Sequence, residues 1–471
     1  MLLQLRPGAP AIRAASHATR RIRAPVCAQC LRQESLDVRI RSQPRAGYHS
    51  SPARASALGA AVAVAKNVVS NAISSRTSKL NTDLMGIDPL RLVSKEMKFL
   101  TGNIRKLLGS GHPSLDRAAK YYTQAEGKHM RPLIVLLMSR ATHLCPKSPE
   151  THHRAASTVQ YTPIPIDTSI TPLSILRDNN PSTANATSAS TVSAAEADSA
   201  ISSETDILPS QRRLAEITEL IHTASLLHDD VIDHSVSRRG SPSANLEFGN
   251  KMAVLAGDFL LGRASVALAR LRNAEVVELL ATVIANLVEG EFMQLKNTAA
   301  DEKRPVWSEE ALGYYLNKTY LKTASLISKS CRAAALLGDA NAATVEAAYG
   351  YGKNLGLAFQ LVDDMLDYTR SERELGKPAG ADLELGLATA PLLFAWRDRP
   401  ELGELVGRKF AQEGDVQRAR QIVLETEGIE QTRALAEDYA EKAIECIRDF
   451  PDSEAKDGLV EMAVTTIKRK K

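Results

Sequence analysis

From about residue 84 onward, apolar side chains recur every three or four positions: Leu90, Val93, Met97 and Leu100, then Ile104 with Leu107 and Leu108. That spacing places them on one stripe of a 3.6-residue helix. Almost every later segment repeats it, and no run of alternating β-branched residues competes, so the pattern predicts an all-α chain. It breaks in two places. The first fifty residues scatter apolar positions among arginines, and the stretch from Pro146 to Ser210 is about one-third Ser and Thr with seven prolines. The second stretch has too little apolar surface to offset the entropy of ordering it, and reads as a disordered loop inserted between two core helices. One domain is therefore expected over 84–471, interrupted at 146–210.

Charge sharpens the reading of the N-terminus. Residues 1–50 hold nine arginines, no lysine, and only Glu34 and Asp37 as acids, an excess of seven positive charges in a chain whose net charge is +4. This is the composition of a mitochondrial transit peptide, with a processing site expected near Tyr48. The remaining chain is slightly acidic, at −3, and offers no general attraction for nucleic acid. No window holds about eighteen uninterrupted apolar residues, so no membrane span is expected. Five cysteines at irregular spacing argue against a disulfide framework. The pair Cys27 and Cys30 lies in the segment expected to be removed.

One short motif occurs twice, as Asp229-Asp230-Val-Ile-Asp233 and as Asp363-Asp364-Met-Leu-Asp367. On a helix, positions i and i+4 share a face, so each copy projects paired carboxylates from one side of an apolar helix. Such carboxylates repel one another and are costly to desolvate unless they are protonated or meet cations. Oxygen ligation without Cys selects a hard ion, Mg2+ rather than Zn2+, and Mg2+ keeps positions open for phosphate oxygens. Lys128, Arg131, Arg238, Arg239, Lys322 and Lys377 punctuate the same region. Two acidic clusters with that many cations suit a site for two diphosphates, one held through metal and one directly.

These stretches resemble the trans-polyprenyl diphosphate synthase family. Glu219 to Asp233 is similar to its first aspartate-rich motif and Phe359 to Asp367 to its second; Gly257-Asp-Phe-Leu-Leu, Gly290-Glu-Phe-Met-Gln294 and Gly386-Leu-Ala-Thr-Ala-Pro391 resemble further characteristic stretches. The resemblance covers about 84–145 and 211–471. His129 departs from it, standing where the family usually has a second basic residue. The resemblance implies an isoprenoid synthase-type helical bundle around a central cavity. It also implies that Asp229, Asp233, Asp363 and Asp367, supported by Asp230 and Asp364, hold Mg2+, three ions per site. Arg238, Lys322, Thr323, Gln360 and Lys377 would contact the allylic diphosphate, and Lys128, Arg131, His222 and Arg239 the isopentenyl diphosphate. His228 is expected to be a packing residue.

The implied reaction is ionisation of the allylic diphosphate followed by attack of the isopentenyl double bond. With a mitochondrial address, the resemblance suggests a long-chain synthase supplying the ubiquinone side chain in the matrix, peripheral to the inner membrane, as a homodimer or hetero-oligomer. A growing tail should run down the helix leading into Asp229, past Ser225, Ile221, Thr218 and Ile217. Ala224 and Ser225 are small, and no aromatic residue occurs from Gln211 to Glu247, so a product of about six to ten isoprene units is expected, at about 5.4 Å per helical turn. A shorter-chain farnesyl or geranylgeranyl synthase and a non-catalytic partner subunit stay open. A terpene cyclase would need no second diphosphate site.

Overall fold

The structure is a computed structural model that describes residues 88–124, 129–149, 206–238, 241–295, 305–369 and 380–469. The transit peptide expected at 1–50 and most of the insert expected at 146–210 lie outside the described residues, as do Lys128, Arg239 and Lys377. The architecture is helical, as the periodicity predicts. Its main elements are α1 (Ser94–Leu107), α2 (Pro113–Gln124), α3 (Met130–His143), α4 (Pro209–Ile232), α5 (Asn250–Arg270), α6 (Ala274–Leu295), α7 (Glu309–Thr319), α8 (Ser325–Leu337), α9 (Ala342–Thr369), α10 (Ala390–Asp398), α11 (Asp415–Leu424), α12 (Gly428–Cys446) and α13 (Glu454–Lys468). A two-residue antiparallel ladder pairs Ser237 with Pro242 and Arg238 with Ser241, just after the first acidic motif.

α3 explains how the bundle is centred. Ten of its fourteen residues are buried, including Leu133 through Met138 without a break. A helix apolar all round must be enclosed by others, and α4, α8 and α13 pack against it. α4 begins at Pro209, where a missing N–H costs nothing, and Gln211 accepts from the Leu208 N–H while donating to the Ala334 carbonyl of α8. α9, the longest helix, packs on α8 and α12. Two apolar clusters result. The larger joins α1 through α6 with α8, the first half of α9 and α13, and the smaller joins α7, the end of α9, α10 and α11.

Among the described residues α5 alone is long and apolar enough to cross a membrane. It packs closely on α4, and its buried Arg263 donates to the Gly109 carbonyl. Those contacts are those of a core helix. Cys145, Cys331 and Cys446 are free thiols.

Candidate functional site

The first motif occupies the C-terminal end of α4. Asp233 is the residue that ends the helix, its N–H bonded to the Asp229 carbonyl at 2.8 Å. A helix C-terminus carries partial negative charge, so carboxylates placed there are destabilised until cations arrive. Burial pushes Asp229 up to about 6, with Glu291 and Asp233 adding to the rise and Lys322 and Arg238 opposing it. Asp233 is raised too, again chiefly by burial. The second motif lies in the last turns of α9, where burial also raises Asp364.

Within each motif the three carboxylates are treated differently. Asp230 is fully buried: the Tyr122 hydroxyl donates to one oxygen, and Arg238 donates to the other through Nε (2.8 Å) and a terminal nitrogen (2.6 Å). Asp364 is likewise buried, accepting from the Tyr315 hydroxyl at 2.6 Å and from Gln360 Nε2 at 2.8 Å. The middle aspartates are thus committed to the protein. Asp229 and Asp233 flank Asp230 on the first motif, as Asp363 and Asp367 flank Asp364 on the second.

Lys322 and Thr323 lie in a single π-helical turn, Tyr320–Ala324, between α7 and α8. Such a turn widens the helix by one residue and often marks a site. Glycines frame it. A Cβ on Gly356 of α9 would come 2.6 Å from the Ala324 Cα, and one on Gly290 of α6 would come 3.0 Å from the Lys322 nitrogen. The close approach lets Lys322 Nζ pair with Glu291 at 2.5 Å and donate to Gln294 at 3.0 Å, while Thr323 donates to Gln360 at 2.9 Å. One turn before it, Lys318 is influenced by Asp364 and Asp382, and burial lowers its pKa. Lys322 therefore serves the first cluster and Lys318 the second. A cavity of about 380 Å3 opens beside them, with Gln294, Tyr314, Tyr315, Lys318 and Trp396 in its wall.

The residues expected to hold a second diphosphate are partly brought together. Arg131, at the start of α3, lies 2.9 Å from His222 Nε2. His129, in the left-handed backbone region at φ 41°, meets buried Glu219 at 3.0 Å. The far C-terminus also arrives here: Arg469 pairs with Asp363 and lies over the Phe359 ring at 4.2 Å. Sequence reading missed Arg469, Lys318, Glu291, Tyr122 and Tyr315. Glu291 lies inside the Gly290–Gln294 stretch and Lys318 four residues before Lys322; nothing local marks the others.

His228 packs as expected, its Nε2 3.2 Å from the Val254 carbonyl and 3.4 Å from Asp258 on α5. Ala224, Ile221 and Ile217 recur with it at three- and four-residue spacings and are fully buried. Thr218 and Ser225 belong instead to the row of His222 and Asp229. Thr218 is 3.0 Å from Ser330 of α8, and Ser225 is half-buried, donating to the His222 carbonyl.

The donor set fits a hard divalent cation. The ligating atoms on offer are carboxylate oxygens whose ionisation burial opposes, and bound cations would relieve that. Among the described residues no three acidic, His or Cys side chains converge closely enough to form a metal-binding group by themselves.

The profile of the polyprenyl synthetase family matches residues 186–423. A Neurospora crassa protein named a probable mitochondrial hexaprenyl pyrophosphate synthase is 72% identical over all of both chains. Subunit 1 of the Schizosaccharomyces pombe decaprenyl-diphosphate synthase is 48% identical over 81% of this chain and 91% of its own. The fold matches a Caulobacter crescentus polyprenyl synthase crystallised with calcium and isoprenyl diphosphate, at a TM-score of 0.62 and 30% identity, over 81% of this chain and 97% of that one.

Proposed function

The chain belongs to the polyprenyl synthetase family, and from that premise we propose that it is a mitochondrial long-chain trans-polyprenyl diphosphate synthase making the ubiquinone side chain. The observation that carries the reading is the pair of buried, oxygen-only acidic motifs joined through Lys318 and Lys322. Asp229, Asp233, Asp363 and Asp367 hold three Mg2+ ions, which when bound stabilise charge on a departing pyrophosphate. Lys322, Thr323 and Gln360 orient the allylic diphosphate, with Arg238 acting through Asp230. Arg131 and His222 orient the isopentenyl diphosphate, with Arg469 able to close over it from the C-terminus. The apolar helices exclude water that would quench an allylic cation. No protein nucleophile is required.

A tail of six units, the length named for the Neurospora relative, descends along the Ser225 and Thr218 row of α4. Assembly uses α5 and α6, whose exposed Leu255, Val288, Phe292 and Leu295 form an apolar face. A second copy covers it, or a different subunit, in line with the Schizosaccharomyces relative being named subunit 1. The test is incorporation of radiolabelled isopentenyl diphosphate, with products sized after dephosphorylation. Chains of about six units, lost on chelation with EDTA, are expected. Products of four units or fewer, or activity within about tenfold of the parent in EDTA, would overturn the reading.

A further inference from the structure

Two lysines one turn apart stand in different situations. Lys322, in the π turn, pairs with Glu291 and donates to Gln294. Lys318, in the last turn of α7, makes no hydrogen bond and no ion pair among the described residues; its ammonium lies over the Tyr315 ring, 5.4 Å from the centroid. It is nevertheless desolvated. Burial and Lys322 oppose its charge, while Asp364, Asp382 and Glu291 favour it without bonding to it. An ammonium has three donors, and leaving them unmet out of water is costly until an acceptor arrives. Among the described residues in the wall of the adjoining cavity, only Lys318 is cationic. Deeper polar groups of that wall are engaged: Tyr315 donates to Asp364, Tyr314 donates to the Met293 carbonyl, and the Gln294 side-chain oxygen accepts from Lys322. Ser308 and Glu310 are exposed. Gln294 thus belongs both to the cavity and to the surroundings of Lys322.

We propose that Lys318 is a further catalytic residue: its ammonium binds an oxygen of the diphosphate that Lys322, Thr323 and Gln360 orient, and binds it most tightly as it departs. The acceptor has to be anionic, because a neutral group would leave the buried charge uncompensated. It also has to lie where Gln294 brings the cavity and Lys322 together, and on the reading given above that is the allylic diphosphate. Ionisation breaks the bond between the allylic carbon and its oxygen, and the electron pair stays on that oxygen. The pyrophosphate leaves with one more negative charge than the ester carried. A desolvated cation that meets this oxygen contributes more to the transition state than to the bound substrate. Lys322 does not supply this alone, since Glu291 and Gln294 already take up two of its donors.

The proposal rests on the reaction assigned above, and its test separates the two. Lys318→Met removes the charge and Lys318→Arg keeps it. Both are compared with the parent and with Lys329→Met, which loses an exposed ammonium on α8 that donates to Thr282 of α6 at 2.8 Å. Binding of inorganic pyrophosphate in the presence of Mg2+ is read by titration calorimetry, without turnover. The kcat and the KM for the allylic diphosphate are read in the incorporation assay. Lys318→Met should weaken pyrophosphate binding about tenfold and lower kcat at least about tenfold, with KM within about threefold of the parent. Lys318→Arg should recover most of the pyrophosphate affinity. Without ligand, Lys318→Met should melt no lower than the parent, because it removes a desolvated charge that has no bonding partner. Lys329→Met should match the parent throughout. Pyrophosphate affinity within about twofold of the parent in Lys318→Met overturns the proposal, as does an equal loss in Lys318→Arg or a parent that binds no pyrophosphate. A Lys318→Met protein that melts lower than the parent without ligand marks the lysine as structural and overturns it too. A parent that binds pyrophosphate yet incorporates no isopentenyl diphosphate overturns the assigned reaction, and the affinity comparison then decides the Lys318 contact by itself.

Discussion

Replacing Asp229 by Asn should make the metal-free protein more stable while abolishing its activity. Burial holds this carboxyl near 6 rather than at its ordinary 3.8, and the attraction of Lys322 is already included in that value. The folded chain therefore keeps the proton where the unfolded chain has lost it. The resulting stabilisation is full below pH 3.8 and is lost as pH rises through 6. Above pH 7 the ionised side chain costs the fold about 3 kcal/mol, or about 2 kcal/mol once partial exposure and solvent screening are allowed for. Asn is isosteric and uncharged, so Asp229→Asn should recover about 2 kcal/mol at pH 7.5 and about half of that at pH 5. For a chain of this size that is roughly 2–3 °C and 1–1.5 °C in Tm. Thermal melts in EDTA at the two pH values measure it. Mg2+ with pyrophosphate should raise the Tm of the parent but hardly that of the variant. Turnover should fall at least a hundredfold, about 3 kcal/mol of transition-state stabilisation. A variant less stable than its parent at pH 7.5, or a gap that fails to narrow at pH 5, would refute the reasoning.

Ser225→Phe should shorten the main product to about three or four units while keeping incorporation, because Ser225 is half-buried in the row of Asp229; unchanged chain length on product sizing would place the ruler elsewhere. Phe at fully buried Ala224 should instead overpack the core and cost about 1–3 kcal/mol in denaturant melts. Gly356→Ala should push the π turn off α9, lowering stability by about 1–3 kcal/mol and kcat by at least tenfold, since its Cβ would sit 2.6 Å from the Ala324 Cα; a fully active variant would show that Lys322 and Thr323 need no such close approach. Residues 1–60 fused to a soluble reporter should carry it to mitochondria and be shortened there, and an uncleaved cytosolic fusion would count against a transit peptide. Deleting residues 151–203 should leave incorporation and Tm nearly unchanged, whereas loss of folding would make the insert structural.

The helical class, the two motifs and their paired carboxylates were legible because each is a local pattern. Apolar spacing of three and four fixes a helix face, and Asp at i and i+4 fixes a carboxylate pair, whatever the rest of the chain does. Lys322 with Thr323 was visible as a dipeptide, but not that a π turn presents it, because that turn depends on Gly290 and Gly356 of other helices. The row of residues proposed to measure product length read as one face and divided into two, since α5 and α8 press on α4 from different sides. Least legible were the groups that decide how the aspartates behave. Tyr122 is 108 residues from Asp230, Tyr315 is 49 from Asp364, and Arg469 is 106 from Asp363. A buried carboxylate takes its charge state and direction from whatever donors packing brings to it, and no spacing along the chain encodes which donors those are.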